Sequence, residues 1–232
     1  MEKHPQFENV YDQKGLREKS RIFENRKDAG DVLAKMLDGL KGSNALILGI
    51  PAGGVPVAVA MARKLDLELD VAVVSKITLP WNTEAGYGAV AFDGTFRLNE
   101  TLAKRVGLKT PVVEEGIRKT TEKVEHRTRL LRGKKPFPKL SDRTVILVDD
   151  GLASGFTMMV AVEAVKKQKP ESIIVAAPTG HLESIDKIAA DVKELYCANI
   201  RSGFSFAVAE AYRRWTDVSE NEVESILLEM DR

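Results

Sequence analysis

The chain has 232 residues, 44% hydrophobic and 30% charged, with 35 basic against 34 acidic residues and a formal net charge of +1. That length buries a full core in one or two domains, and the balanced charge gives no general attraction to nucleic acid or a membrane surface. One cysteine, Cys197, excludes an internal disulfide and three histidines exclude a zinc cluster of ordinary spacing, so a reducing, cytoplasmic home is expected. No apolar run approaches the roughly 20 residues of a membrane-spanning helix. The first residues, MEKHPQFENVYDQKG, show neither a signal-peptide core nor a transit-peptide bias.

In chain order, ENRKDAGDVLAKMLDGL (24–40) predicts an amphipathic helix ending near Gly39. ALILGI (45–50) reads as a strand and VPVAVAMARKL (55–65) as the helix after it. LDVAVVS (69–75) reads as a second strand, and GAVAFDGTFRLN (88–99) as a hairpin turning at Asp93-Gly94. A long helix is predicted over 111–133, closed by Gly133, and then a proline-bearing linker, KKPFPKLSDR (134–143). TVILVDD (144–150), SIIVAAP (172–178) and VKELYCA (192–198) are further strands, with helices at 156–168 and 181–190. SENEVESILLEM (219–230) opens on a capping box, Ser219 with Glu222. The strand runs are rich in β-branched residues and do not alternate, which suits strands covered on both faces. Strand, helix, strand in succession predicts an α/β fold with a mostly parallel open sheet flanked by helices.

The chemistry concentrates in VILVDDGLASGFT (145–157). In open α/β sheets the ligand site lies beyond the carboxyl ends of strands, where Asp149 and Asp150 sit. Adjacent carboxylates repel, so a partner is needed. The turn GLASG then leads into a helix near Phe156 or Thr157, and free amides at a helix start form an anion site. Gly151 and Gly155 permit close approach, while Ser154 and Thr157 add hydroxyls. Phosphate beside acid suits a sugar phosphate, whose diol donates to carboxylates. The plain alternative is a capped helix after a buried strand, with solvated aspartates. GIPAGGVPVA (49–58) is a second strand-to-helix turn of the same kind, with Gly53 and Gly54 before the helix.

VILVDDGLASGFT resembles the thirteen-residue signature of type I phosphoribosyltransferases. The chain is most similar to a poorly characterised predicted branch reading roughly PRGGVPVA, VxKLGxPxNPExAIGAV and VDDGLATGAT. Here these read PAGGVPVA, VSKITLPWNTEAGYGAV and VDDGLASGFT, and matches run from Phe23 to about Val218. The resemblance implies one domain over 1–232, a core at about 44–200 and a hood from about 1–43 and 201–232. It implies binding of 5-phosphoribosyl-1-diphosphate with its Mg²⁺. Asp149 and Asp150 then hold the ribose hydroxyls and meet the metal only through ribose or water. Ala153, Ser154, Gly155, Phe156 and Thr157, after Gly151, wrap the 5′-phosphate. Ala52, Gly53 and Gly54 bind diphosphate through backbone amides, in a loop that in relatives often crosses a cis peptide.

Lys76, Asp149 and Asp150 are the candidate catalytic residues, Lys76 meeting the diphosphate from just past the second parallel strand. Residues 77–88, with Trp81, Asn82, Glu84 and Tyr87, stand where relatives carry a mobile lid; a static loop over the sheet is the plain alternative. Ala52 replaces the branch's usual arginine, which removes a cation worth about 1.5–3 kcal/mol. Arg129 or Arg132 from the basic helix is the candidate replacement, although such a run is commonly a solvated face. Ala153 stands where purine-salvage relatives carry an acid, which disfavours a 6-oxopurine acceptor, and Phe156 is bulky for the signature. Tyr212, Arg213 and Trp215 are candidates for the acceptor pocket. The expected activity is phosphoribosyl transfer to a nitrogenous base with diphosphate release; the rivals are a non-catalytic nucleotide-binding module and ribose-phosphate hydrolysis. Small-molecule substrates are the expected partners, without nucleic acid or membrane, and a homodimer fits the resemblance.

Overall fold

Alternating apolar runs and amphipathic stretches fold as alternating strands and helices. The computed structural model describes residues 1–230, and of Thr83 and Glu84 the backbone alone. The Glu84 side chain and the last two residues of the expected hood thus fall outside the described residues. Two short strands, β1 (Glu2–Lys3) and β2 (Val10–Asp12), precede α1 (Arg26–Met36), β3 (Leu46–Gly49), α2 (Gly54–Leu65) and β4 (Glu68–Val71). Next come β5 (Val74–Leu79), β6 (Asn82–Ala91), β7 (Phe96–Leu98), α3 (Glu100–Arg105) and α4 (Thr110–Arg132). The chain closes with β8 (Thr144–Val148), α5 (Phe156–Lys167), β9 (Ser172–His181), α6 (Leu182–Ala189), β10 (Glu194–Arg201) and α7 (Glu220–Met230).

Helix starts follow their capping chemistry. The Asn25 side chain accepts from Asp28 N before α1, and Asn99 does the same for Leu102 N before α3. Before α7, Ser219 Oγ accepts from Glu222 N at 3.2 Å while the Glu222 carboxylate accepts from Ser219 N at 3.0 Å, the reciprocal box predicted from sequence.

The main sheet has seven strands in the order β1-β2-β10-β9-β8-β3-β4, parallel from β2 to β4, with β1 antiparallel at the edge. Its two faces divide the apolar runs residue by residue. Leu46, Leu48, Val145, Leu147, Val175 and Ala177 join Met158, Val162 and Val165 of α5 and Ile185 of α6. Ile47, Ile146, Val148, Ile174 and Ala176 join Ala29 and Leu33 of α1 and Val57 and Met61 of α2. Each fully buried Leu, Ile or Val contributes about 1.5–3 kcal/mol, so covering both faces explains why these strands need no polar alternation.

β5, β6 and β7 form a separate antiparallel sheet, with Val74 opposite Ala91 and Gly88 opposite Leu98. Ile77, Tyr87, Val124, Leu131 and Val223 pack in a third cluster between this sheet, α4 and α7. The stretch 69–75, predicted as one strand, therefore divides. Ala72 N still donates to Gly49 O at 3.0 Å in the main sheet, and pairing restarts at Val74 with a different partner. Its residues 71–75 are buried throughout, so the run carries no mark where it changes sheet. The segment 77–88, expected as a mobile lid or a static loop over the sheet, is the hairpin that joins β5 to β6. β1, β2 and α3 were not anticipated. Among the described residues no helix is long and apolar enough to cross a membrane.

Strand order sets the position of the site. From β3 the chain first builds outward to β4, then returns to β8 on the other side of β3 and continues to β9 and β10. The connections after β3 and β8 therefore diverge, opening a crevice at their carboxyl ends where ligands bind in open α/β sheets.

Candidate active site

Asp149 and Asp150 follow the last residue of β8 at this crevice. Asp150 N donates to Asp149 Oδ1 at 2.8 Å, which fixes the first carboxylate against the backbone of the second. Burial is the main force holding the Asp149 carboxyl well above its ordinary range; the Asp150 charge adds to it and Lys76 opposes it. Burial also raises Asp150, against the pull of the Arg26 guanidinium. Asp150 is the better neutralised of the two: Arg26 Nε donates to its Oδ2 at 2.9 Å.

The turn after β3 presses on these acids. The Pro51–Ala52 peptide is cis, as the resemblance implied. A Cβ on Gly53 would lie 1.9 Å from Asp150 Oδ2, and one on Gly54 would lie 2.6 Å from Val148 O. Only glycine lets this backbone lie so close to the carboxylates. The Ala52 methyl is half-buried against the third apolar cluster.

The turn after β8 is held from outside. Leu152 N donates to Thr179 O and His181 N to Leu152 O, both at 2.9 Å, so the turn begins as an extra bridge on β9. Ser184 Oγ donates to Ala153 O, and Gly155 takes φ +70° just before α5. Ser154 Oγ accepts from Phe156 N at 3.4 Å. The amides of the first α5 turn have no intrahelical acceptor, and the helix dipole there favours negative charge. Phe156 packs against the core beside α5.

A cleft of about 260 Å³ opens over the acids and the turn after β8, lined by Lys76, Asp149, Asp150, residues 151–158, Val208 and Trp215. The structure thus gathers the predicted Lys76, both aspartates and the whole 151–157 run, with Gly53 and Gly54 against the aspartates. Lys76 arrives within β5 of the second sheet, a correction to its expected place past a parallel strand. The two arginines expected at the diphosphate do not line the cleft. Arg132 is buried and gives Asp70 two hydrogen bonds, of 2.8 and 2.7 Å, under the Phe137 ring. Arg129 is exposed on α4, 3.8 Å from Glu125. Arg132 is taken by a nearer carboxylate, and Arg129 lies on the solvated face.

Of the three C-terminal candidates, Trp215 lines the cleft, whereas Arg213 is exposed beside Glu24. Tyr212 is buried and its hydroxyl donates to Asp150 O at 2.6 Å. A short ribbon carries these residues over the acids: Ile22 N donates to Ala211 O and Arg213 N to Phe23 O, at 2.9 and 2.8 Å.

Arg26 is the site residue that sequence reasoning missed. Besides Asp150, it donates from Nη1 to Thr216 O at 2.8 Å, and its guanidinium lies 3.9 Å from the Trp215 ring centroid. One signal was present: Arg26 is the first residue of α1, where the helix dipole disfavours a cation, so a nearby acid was called for.

Comparison with known proteins gives a consistent result. A family model described as phosphoribosyl transferase domain matches residues 93–212. A Mycobacterium tuberculosis protein, named by inference a phosphoribosyl transferase in two strains, is 34% identical over 208 residues, 89% of this chain and 46% of its own length. The chain thus spans about half the length of these curated relatives. The crystal structure of TT1426 from Thermus thermophilus is 32% identical with a TM-score of 0.72, covering 89% of this chain and 98% of that one. A uracil phosphoribosyltransferase of Ureaplasma urealyticum is 46% identical over 69 residues, 28% of this chain and 32% of its own.

Proposed function

The chain belongs to the phosphoribosyl transferase family, and from that premise we propose that it transfers a phosphoribosyl group from 5-phosphoribosyl-1-diphosphate to a nitrogenous base, releasing diphosphate, in a cytoplasmic setting. The observation that carries this reading is the placement of Asp149 and Asp150 between two strand-to-helix turns at the sheet's switch point. A carboxylate rim accepts hydrogen bonds from the ribose diol, the turn after β8 receives the 5′-phosphate, and the glycine turn after β3 receives the diphosphate. In the reaction the C1–oxygen bond breaks with its electron pair leaving on diphosphate, and the base nitrogen forms the new bond to C1. Lys76, on the cleft wall, stabilises charge gathering on the leaving group. The ribbon over Asp150, carrying Trp215, serves as the hood and keeps water from the oxocarbenium-like centre.

Mg²⁺ enters this reading with the substrate. Among the described residues no group of three or more His, Cys, Asp or Glu is placed to hold a metal ion. Two adjacent carboxylates suit a cation already carried by diphosphate and hydroxyls and met through water. Bound there, Mg²⁺ neutralises phosphate charge.

The experiment is to incubate the protein with Mg²⁺, phosphoribosyl diphosphate and a panel of purine, pyrimidine and pyridine bases, and to measure diphosphate release. Release that depends on one base supports transfer and names the acceptor. Release without any base points to hydrolysis. A second reading, a non-catalytic nucleotide-binding module, is favoured by the lack of a cationic side chain in the 51–54 turn. Tight binding without release under every base supports that module.

A further inference from the structure

Resting on the phosphoribosyl-diphosphate reading, the site lacks positive charge where the substrate needs it most. The turn after β3 offers amides but only the side chains of Pro51 and Ala52. The charged walls of the cleft are two carboxylates and one exposed lysine, Lys76. Arg129 and Arg132 are held elsewhere, by Glu125 and Asp70. A diphosphate entering such a cleft would meet more negative charge than positive.

Arg26 stands beside that turn. The carboxylate oxygen that Arg26 Nε grips at 2.9 Å is Asp150 Oδ2. The same oxygen is the one a Cβ on Gly53 would meet at 1.9 Å. One oxygen atom therefore touches both the guanidinium and the glycine turn. The guanidinium is also aligned in advance: Nη1 is fixed on Thr216 O, one face rests on Trp215, and Nη2 has no hydrogen-bond partner among the described residues. Its side chain is only 10% exposed, so its charge acts in a poorly screened setting.

We propose that Arg26 is the substrate-contacting cation for the diphosphate end, and that it changes partner on binding. In the free protein it neutralises Asp150. When the ribose diol takes up the Asp150 carboxylate, the guanidinium turns from Oδ2 to the diphosphate oxygens lying on the adjacent Gly53–Gly54 turn. A planar fork suits that exchange, because it can present two parallel donors to a phosphate while Nη1 keeps Thr216 as its pivot. The exchange leaves neither carboxylate nor guanidinium unpaired at either end, so binding meets no stranded buried charge.

Arg26→Gln and Arg26→Lys distinguish this role from a purely structural one, with calorimetric titration of Mg²⁺-diphosphate in the presence of saturating ribose 5-phosphate, whose diol occupies Asp150, and, separately, of ribose 5-phosphate alone. Thermal midpoints of each variant show that it is folded. Arg26→Gln is expected to weaken Mg²⁺-diphosphate binding by at least about tenfold, the scale of one charge-assisted hydrogen bond. Arg26→Lys keeps the charge without the fork and is expected to recover part of that loss. Ribose 5-phosphate affinity is expected to stay within about threefold of the parent or to improve, because Asp150 is freed for the diol. Equal losses for both ligands, or unchanged diphosphate affinity, overturn the proposal. A parent protein that binds neither ligand overturns the functional reading beneath it; a parent that binds both while Arg26→Gln loses nothing overturns this inference alone.

Discussion

The two turns that flank the acid pair are built on opposite plans. The turn after β3 works by absence: Gly53 and Gly54 have no side chains, and the space a Cβ would need at each is filled by the Asp150 carboxylate and Val148 O. The turn after β8 works by anchorage and side chains: it is pinned to β9 and α6 from behind and presents Ser154 and Thr157 toward the cleft. The first turn is therefore expected to be intolerant of any added atom, and the second to degrade in small steps.

The largest effect is expected from Gly53→Ala. The new methyl collides with Asp150, which also holds Arg26, so ligand binding is lost and overpacking costs about 1–3 kcal/mol of stability, readable in urea titrations. A Gly53→Ala protein with parental affinity and stability would break the contrast between the turns. Asp150→Asn is expected next, weakening phosphoribosyl-diphosphate affinity by roughly 1.5–3 kcal/mol, measured by calorimetry. Unchanged affinity would mean that the acids do not meet ribose. Gly155→Ala places a Cβ at φ +70°, 3.1 Å from Ile188 and Ser184, and is expected to cost about 1–2 kcal/mol in the unfolding midpoint. Ser154→Ala is expected to lower 5′-phosphate affinity by about 0.5–1.5 kcal/mol with little change in fold, sharpening the view that this turn acts through separable donors.

The smallest signal is a pH slope. Burial raises the Asp149 carboxyl above its ordinary 3.8, so the native state keeps a proton that the unfolded chain has already released. This acid therefore costs no stability below the ordinary value; the cost grows as pH rises from there to the raised native value, then levels off. Substrate that selects the ionised form should release protons on binding across the same window, which calorimetry in buffers of different ionisation enthalpy detects. Asp149→Asn is expected to shrink both the slope and the release, Asp150 supplying the remainder because burial raises it too; if neither changes, another group is responsible.

What the sequence made legible was local. The strands at 144–150 and 172–178, the helices after them, and both turns are encoded in contiguous residues, and the capping box at Ser219 is complete within four. The long-range pairings were not legible. Arg26 meets Asp150 across 124 positions, and nothing in ENRKDAG distinguishes it from a solvated helix arginine except its place at the wrong end of a dipole. Arg132 was a reasonable candidate by charge alone, yet Asp70 claims it across 62 positions. The run 69–75 hid a change of sheet because both of its neighbourhoods are apolar, and hydrophobicity reports burial without naming the partner.

The ribbon that joins Ile22 and Phe23 to Ala211 and Arg213 has a consequence for biosynthesis. A chain emerging from the ribosome holds α1, β3 and β8 long before residues 208–215 exist, so the parallel layers can settle while Asp150 still lacks its Tyr212 contact and Trp215 is not yet present to receive Arg26. The pocket is thus completed only after residues 208–215 follow the strands and helices that they cover, and a ribosome stalled before that point would display an unroofed acid pair.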